Sequence, residues 1–342
     1  MSVMRPYLPI SLAGQLLPFI SFLDKAGSPW RSALARARLP GEIADPAGFL
    51  PSNGILTFIS DMASREGLPD LGYRVNQVDC SGAIHPKILM AIQTAPTLYA
   101  ALKAGSEQMR LQGSHFQIWL HESNDYLWVC YKGSVPATWQ GAEQGEYFRI
   151  TRLVEVIRQF LGRDWHPQQL YLETPLKPPA ALISFVGNCV YKTGMPYGAM
   201  PLSYNQIAVS APDTLSKAKN SGPGTPQSAG ANQEDWYGHI VEILPAYLPA
   251  GGLALPDLAD IASLSPRTLQ RLLEERGTSY RELMDAARFG KASHLLLETD
   301  LSATEIARLS GYTDSSNFAR AFRLISGRSP SEYRQDFKAD HR

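Results

Sequence analysis

Two neighbouring stretches, SPRTLQRLLEERGTSYRELMDAAR (265–288) and LSATEIARLSGYTDSSNFARAFRLISGRSPSEYR (301–334), carry explicit helix punctuation. Ser265-Pro266 is an N-cap followed by proline, which fits the first helical turn because the N–H it lacks has no partner there. Ser279…Glu282 and Ser302…Glu305 are capping boxes, in which serine and glutamate satisfy free N–H groups reciprocally. Ser329-Pro330-Ser331-Glu332 combines box and proline. Extended outward, the same signals predict helices over 236–248, 256–262, 266–276, 280–298, 303–309, 315–325 and 330–337.

Two sub-patterns repeat inside this array. Leu258, Ile261 and Ala262 belong to a short helix, Ser263-Leu264-Ser265 turns, and Leu269, Leu272 and Leu273 line the next. Ile306, Ala307 and Leu309 are followed by Ser310-Gly311-Tyr312, then by Phe318, Ala321 and Phe322. Each is helix, tight turn, helix, and the units are predicted at about 256–276 and 303–325. Once the leucines and phenylalanines are assigned inward, Arg267, Thr268, Gln270 and Arg271 are left outward on one second helix. Ser315, Ser316, Asn317 and Arg320 are left on the other, with Arg323 one turn on. Arginine pairs with guanine, glutamine or asparagine with adenine, and serine or threonine with a base or a phosphate. A merely solvated face explains one such helix as well; two matching units favour base reading. The intervening helix, 280–298, spans roughly 28 Å at ~1.5 Å per residue, close to the ~34 Å between successive major-groove faces.

Upstream, DTLSKAKNSGPGTPQSAGANQED (213–235) holds Leu215 as its one large apolar residue and reads as a flexible linker. Residues 1–212 have a mixed pattern, with helices expected near 10–26, 30–38, 52–66, 96–112 and 147–162. The runs 115–120 and 126–131 alternate and form a predicted hairpin about Glu122–Asp125. Further strands are expected near 169–173, 189–193 and 199–202. The fold class is thus an α+β N-terminal domain, joined by a flexible linker to an all-α domain with two helix-turn-helix units.

Of 342 residues, 44% are hydrophobic, and Lys+Arg and Asp+Glu are both 32. Zero net charge excludes a bulk-electrostatic binder but not local basic faces. Residues 236–342 hold 13 Lys+Arg and 14 Asp+Glu, while 315–328 hold Arg320, Arg323 and Arg328 with no acid. The placement predicts weak non-specific affinity and reliance on directed contacts. Cys80, Cys130 and Cys189 are dispersed, which implies reduced, cytoplasmic thiols and no cysteine-rich metal site. Leu8 to Leu23 follows Arg5 like a signal peptide, but Pro9, Pro18 and Gln15 interrupt it. Its Leu12, Leu16, Phe19, Ile20 and Leu23 stripe suits a helix against a core. No stretch has the ~18–20 apolar residues of a membrane span.

The C-terminal segment resembles the DNA-binding domain of AraC/XylS-type bacterial transcription regulators. The Gly311-Tyr312 turn, the F-x-R-A-F core and the closing G-x-S-P-x-E-Y-R carry the likeness across 236–337. Ile325-Ser326 stands where relatives often have Trp-Thr. The resemblance implies that Arg267, Thr268, Gln270 and Arg271, and Ser315, Ser316, Asn317 and Arg320, match the positions that meet bases and phosphates. Residues 1–212 resemble the effector-binding and dimerisation domain of relatives such as the ornithine-utilisation regulators. GLPDLGYRV (67–75), TLYAALKAGSEQMRL (97–111) and FLGRDWHPQQLYL (160–172) carry this, together with the hairpin and the end at Ala211-Pro212. Arabinose is not carried over as ligand, because the segment opens with helices rather than a sugar-binding barrel.

The implied partners are double-stranded promoter DNA, RNA polymerase, a small-molecule effector and a second copy of the chain, with no membrane, metal or cofactor. On the hairpin, Trp119, His121, Tyr126 and Trp128 are either core aromatics or the wall of an effector pocket. His115, His121 and Glu122 lack a third convergent metal ligand. No nucleophile elbow or phosphate loop is present, so no catalytic residue is assigned. Two other readings are an alkyl-transfer enzyme, which the dispersed cysteines disfavour, and a pure protein-interaction module.

Overall fold

Strand alternation and buried prolines shape the first unit, and cap chemistry shapes the second. The structure, a computed structural model, describes residues 7–123, 125–209 and 235–340. These fall into two compact units. One comprises Pro9–Leu39 with 45–209; the other comprises 235–340 with Tyr7, Leu8 and Pro40–Ala44. The expected linker, apart from Asp235, lies outside the described residues.

In the first unit β1 (Ile10–Leu12) pairs antiparallel with β2 (Phe49–Pro51). A five-stranded sheet holds β3 (Phe116–Glu122), β4 (Tyr126–Gly133), β5 (Gln169–Tyr171), β6 (Val190–Lys192) and β7 (Gly198–Ser203), in the order β3-β4-β7-β5-β6. Only β5 and β6 run parallel to each other. The helices are α1 (Leu17–Lys25), α2 (Arg31–Arg36), α3 (Ser52–Arg65), α4 (Leu71–Arg74), α5 (Pro86–Gln93), α6 (Leu98–Glu107), α7 (Ala142–Leu161), α8 (Ala180–Phe185) and α9 (Tyr204–Ile207).

The expected helix over 10–26 is corrected: its first three residues are β1, a 3-10 turn follows, and α1 begins only at Leu17. Pro18 explains the late start, since proline is accommodated in a helix's first turn and not within it. The proposed stripe nevertheless buries Leu12, Leu16, Phe19 and Leu23, with Ile20 half-buried. The helix expected over 96–112 ends at Glu107 and continues as a 3-10 turn to Gly113. There the chain passes so close to β1 that a Cβ on Gly113 would sit 2.2 Å from the Ile10 carbonyl oxygen. α7 starts five residues earlier than the periodicity implies, at Ala142, directly after Gly141, whose φ of +82° ends the preceding loop. Of its expected stripe, Val156, Ile157 and Phe160 are buried, while Leu153 and Leu161 are half-buried; Ile150 and Val154 are buried with them. α5 and α8 were not anticipated.

The hairpin forms as expected, with Trp119 opposite Cys130 and His121 opposite Trp128. Phe116, Ile118 and Leu120 therefore share a face with Val129 and Tyr131, and this face meets the core formed with α6 and α7. Leu98, Ala101, Ile150, Ile157, Leu170 and Met200 lie at its centre. Among the described residues no helix is long and apolar enough to cross a membrane.

The second unit is all helix: α10 (Trp236–Tyr247), α11 (Leu255–Ile261), α12 (Pro266–Glu275), α13 (Tyr280–Glu298), α14 (Ala303–Leu309), α15 (Ser315–Ser326) and α16 (Pro330–Asp340). Predicted and observed ends agree within a residue, apart from a longer α16. All three expected capping boxes, at Ser279/Glu282, Ser302/Glu305 and Ser329/Glu332, are formed. Their glutamates are held below the usual carboxylate range by hydrogen bonds from the cap serines. Ala292, Leu296, Ile306, Ala307, Phe318 and Phe322 make one buried cluster. Phe322 lies 5.0 Å from Phe289 and 5.2 Å from Tyr333, ring to ring.

Candidate nucleic-acid interface

The two helix-turn-helix units are built by the same backbone hydrogen bonds. In the first, the N–H groups of Ser263 and Leu264 donate to the carbonyls of Asp260 and Ala259. In the second, those of Gly311 and Tyr312 donate to Arg308 and Ala307. Ser263 and Gly311 both have positive φ, the conformation that closes a helix and reverses the chain. Next to each turn, Ala259 or Ala307 is buried with no bulk to separate the helices.

Each second helix then opens on a side-chain cap. The Ser265 hydroxyl accepts from the Thr268 N–H at 3.1 Å, and the Asp314 carboxylate accepts from the Asn317 N–H at 2.8 Å. The spacing of the apolar residues does not single out Asp314, although Asp is an ordinary N-cap residue. The Asn317 N–H holds its carboxyl below the usual range.

Leu269, Leu272 and Leu273 turn inward on α12, as Phe318 and Phe322 do on α15. Arg267, Gln270 and Arg271 are exposed, as are Ser315, Ser316, Asn317, Arg320 and Arg323. Thr268 departs from expectation: it is half-buried, and its hydroxyl lies 2.8 Å from that of Ser265. Other candidates are tied to local acids. Arg271 pairs with Glu275 one turn on. The Asn317 amide donates to Asp314 Oδ2 at 2.7 Å and to Thr313 Oγ1 at 3.1 Å. Arg267 and Arg320 make no hydrogen bond or ion pair within the described residues, so their guanidiniums present five unspent donors each. The exposed candidates are thus of two kinds: open arginines, and amide or guanidinium groups held on a neighbouring carboxylate.

The hairpin candidates gather elsewhere. Trp119, His121, Tyr126 and Trp128 share the sheet face opposite the core. Trp119 packs 5.4 Å from Tyr197, Trp128 5.4 Å from Tyr171, and Tyr126 6.4 Å from Trp128. They form a half-exposed aromatic platform and line neither of the two cavities behind the sheet. His115 lies inside. It is half-buried, and desolvation together with Arg149 pushes its imidazole down to about 3, so it is neutral. Its Nε2 is 3.0 Å from the Gln15 amide nitrogen. Among the described residues no three metal-ligating side chains converge.

Comparison with known proteins matches both units. The family described as a helix-turn-helix domain covers residues 258–336. The family described as the N-terminal arabinose-binding domain of an AraC transcription regulator covers residues 27–201. The chain is similar to the transcriptional activator NphR of a Rhodococcus species, 32% identical over 130 residues, which are 38% of this chain and 39% of that relative. It is 45% identical over 83 residues to the ornithine utilization regulator of Pseudomonas aeruginosa, 23% of this chain and 24% of that one. The chain thus spans about a quarter to two-fifths of the curated relatives it matches. The crystal structure of the transcriptional regulator CdpR from Pseudomonas aeruginosa aligns with 90% of this chain and 96% of its own, at 21% identity and a TM-score of 0.38.

Proposed function

We propose that this chain, which belongs to the AraC transcription-regulator family, is a sequence-specific promoter-binding protein whose first unit takes a small-molecule effector. The observation that carries the reading is the duplicated turn, cap and exposed basic face on α12 and α15. One such helix is a common surface; two with the same hydrogen-bonded entry suit two successive major-groove contacts. The readers proposed are Arg267, Gln270 and Arg271 in one groove, and Ser315, Ser316, Asn317, Arg320 and Arg323 in the next. Thr268, through its shared cap, positions α12.

Two protomers bound to adjacent half-sites would double the contact set, and the first unit is the proposed dimerisation element. RNA polymerase is a further proposed partner. The compartment is then the cytoplasm, where promoter DNA lies. An alkyl-transfer enzyme is disfavoured by thiol chemistry. Burial pushes Cys80 and Cys130 up to about 11, far from the thiolate a nucleophile needs.

Selection of binding sites from random duplex DNA by the full-length chain tests this. The expected outcome is an enriched motif with two elements about one helical turn, ~10 base pairs, apart. A pool with no enriched motif would defeat the proposal.

A further inference from the structure

Behind the sheet, a cavity of about 100 Å³ lies among α5, α6, β3 and α7. Hydrocarbon makes up nearly all of its wall: Ile88, Ile92, Leu102, Phe116, Ile118 and Val156. Its polar members are Gln15, Ser106, Gln112, His115, Arg149 and Arg152, with no Asp or Glu. A smaller cavity of about 50 Å³ shares Gln15, His115, Phe148 and Arg149 with it, so Arg149 lines both.

The polar members divide into spent and unspent groups. Gln112 is spent, accepting from the His85 N–H and donating to the Ala83 carbonyl. His115 is neutral and adds no charge. Arg149 and Arg152 are therefore the charged groups on the larger cavity, and they lie one turn apart on α7 with Leu153 and Val156.

The acids nearby are engaged elsewhere. Glu146, on the smaller cavity, accepts from the N–H groups of Glu173 and Thr174 and from the Tyr131 hydroxyl. Glu173 accepts the Gly133 N–H on both oxygens, at 2.8 and 3.1 Å, and reaches Arg149 at only 3.5 Å. Glu155 takes Nη1 of Arg152 at 2.6 Å from outside the cavity wall. Arg149 lies over the Phe116 and Tyr131 rings, 5.5 and 5.8 Å from their centroids, and the Nε atoms of both arginines are buried without a hydrogen-bond partner. Two under-partnered guanidiniums beside hydrocarbon suit a ligand with an apolar body and an anionic end.

We infer that the cavity binds a small carboxylate with a compact apolar body, either one ring or a chain of roughly six carbons, its carboxylate held by Arg149 and Arg152. The size follows because the two cavities together approach the ~150 Å³ that accommodates benzene in an engineered protein core. This rests on the effector-controlled reading above and names the chemistry of that effector.

Calorimetric titration of the full-length protein with hexanoate and phenylacetate, each against its neutral amide, tests the inference. At least one acid is expected to bind saturably, and its amide at least tenfold more weakly. Arg149→Met and Arg152→Gln should each weaken the acid tenfold or more while leaving the amide unchanged, and Arg149→Lys should restore part of the loss. Equal binding of acid and amide, or saturation by neither acid, overturns the inference. The wild-type comparison stands even if a variant fails to fold. Operator binding with and without the small-molecule pool of the native cells separates the two readings. A response to the pool with no binding of either acid overturns the carboxylate assignment alone; no response to the pool defeats effector control itself.

Discussion

Ser263 and Gly311 occupy the same left-handed step of two equivalent turns, at φ of +55° and +76°. They are not equally suited to it. Glycine takes this conformation freely, whereas a residue with a Cβ is strained there by ~1 kcal/mol. Gly311 is also crowded, because a Cβ there would stand 2.8 Å from the Leu248 carbonyl oxygen.

Ser263→Gly should accordingly stabilise the second unit by about 0.5–1 kcal/mol, and Gly311→Ala should destabilise it by about 1–3 kcal/mol. Urea unfolding of the full-length chain, followed by Trp236 fluorescence, measures both. A loss of stability in Ser263→Gly would mean that the serine hydroxyl, not the backbone, sets the turn.

Arg320→Ala should cost ~1–3 kcal/mol on the selected site and relax base preference at one position. Binding measured on that site and on random duplex decides the matter. Equal losses on both would reduce Arg320 to a phosphate contact.

Glu275→Gln releases Arg271 from its ion pair. Binding to any duplex should tighten, and the slope of log K against log salt should steepen by about one phosphate contact. An unchanged slope would show that Arg271 never reaches the backbone.

Acid should selectively weaken the first unit through His115. Its folded pKa, about 3, lies below the ordinary imidazole value of 6.5, so the unfolded chain binds the extra proton between these values. Stability contributed by the neutral ring is therefore complete above pH 6.5 and falls as pH drops towards 3, by at most ~1.4 kcal/mol per pH unit. Thermal melts from pH 7 to 5 should show this slope, and His115→Gln should flatten it.

How far the sequence could be read depended on the range of the forces involved. The helices of 236–340 are legible to a residue, the end of α16 apart, because Ser265, Ser279, Ser302 and Ser329 act on N–H groups three positions away. Residues 10–12 were misread because Leu12 and Leu16 satisfy a helical stripe equally well; only the distant partner Phe49–Pro51 makes the segment a strand. The cavity was illegible for the same reason. Arg149 and Arg152 are unremarkable helix arginines until Ile88, Leu102 and Phe116 fold around them. On α12 and α15 the sequence identified which groups face outward, but not that Thr268 and Asn317 are held by their own caps.

The carboxylates of Glu275 and Asp314 bear on how such a protein would travel along DNA. Each occupies the donors of a proposed reader and, on that reading, acts as an internal competitor for them. On the reading proposed above, a site whose bases match displaces the acid and is retained, and one whose bases do not match leaves the reader on its acid and is released sooner. Discrimination then lies in residence time rather than in the rate of encounter, and a near-neutral domain can scan a genome without stalling on it.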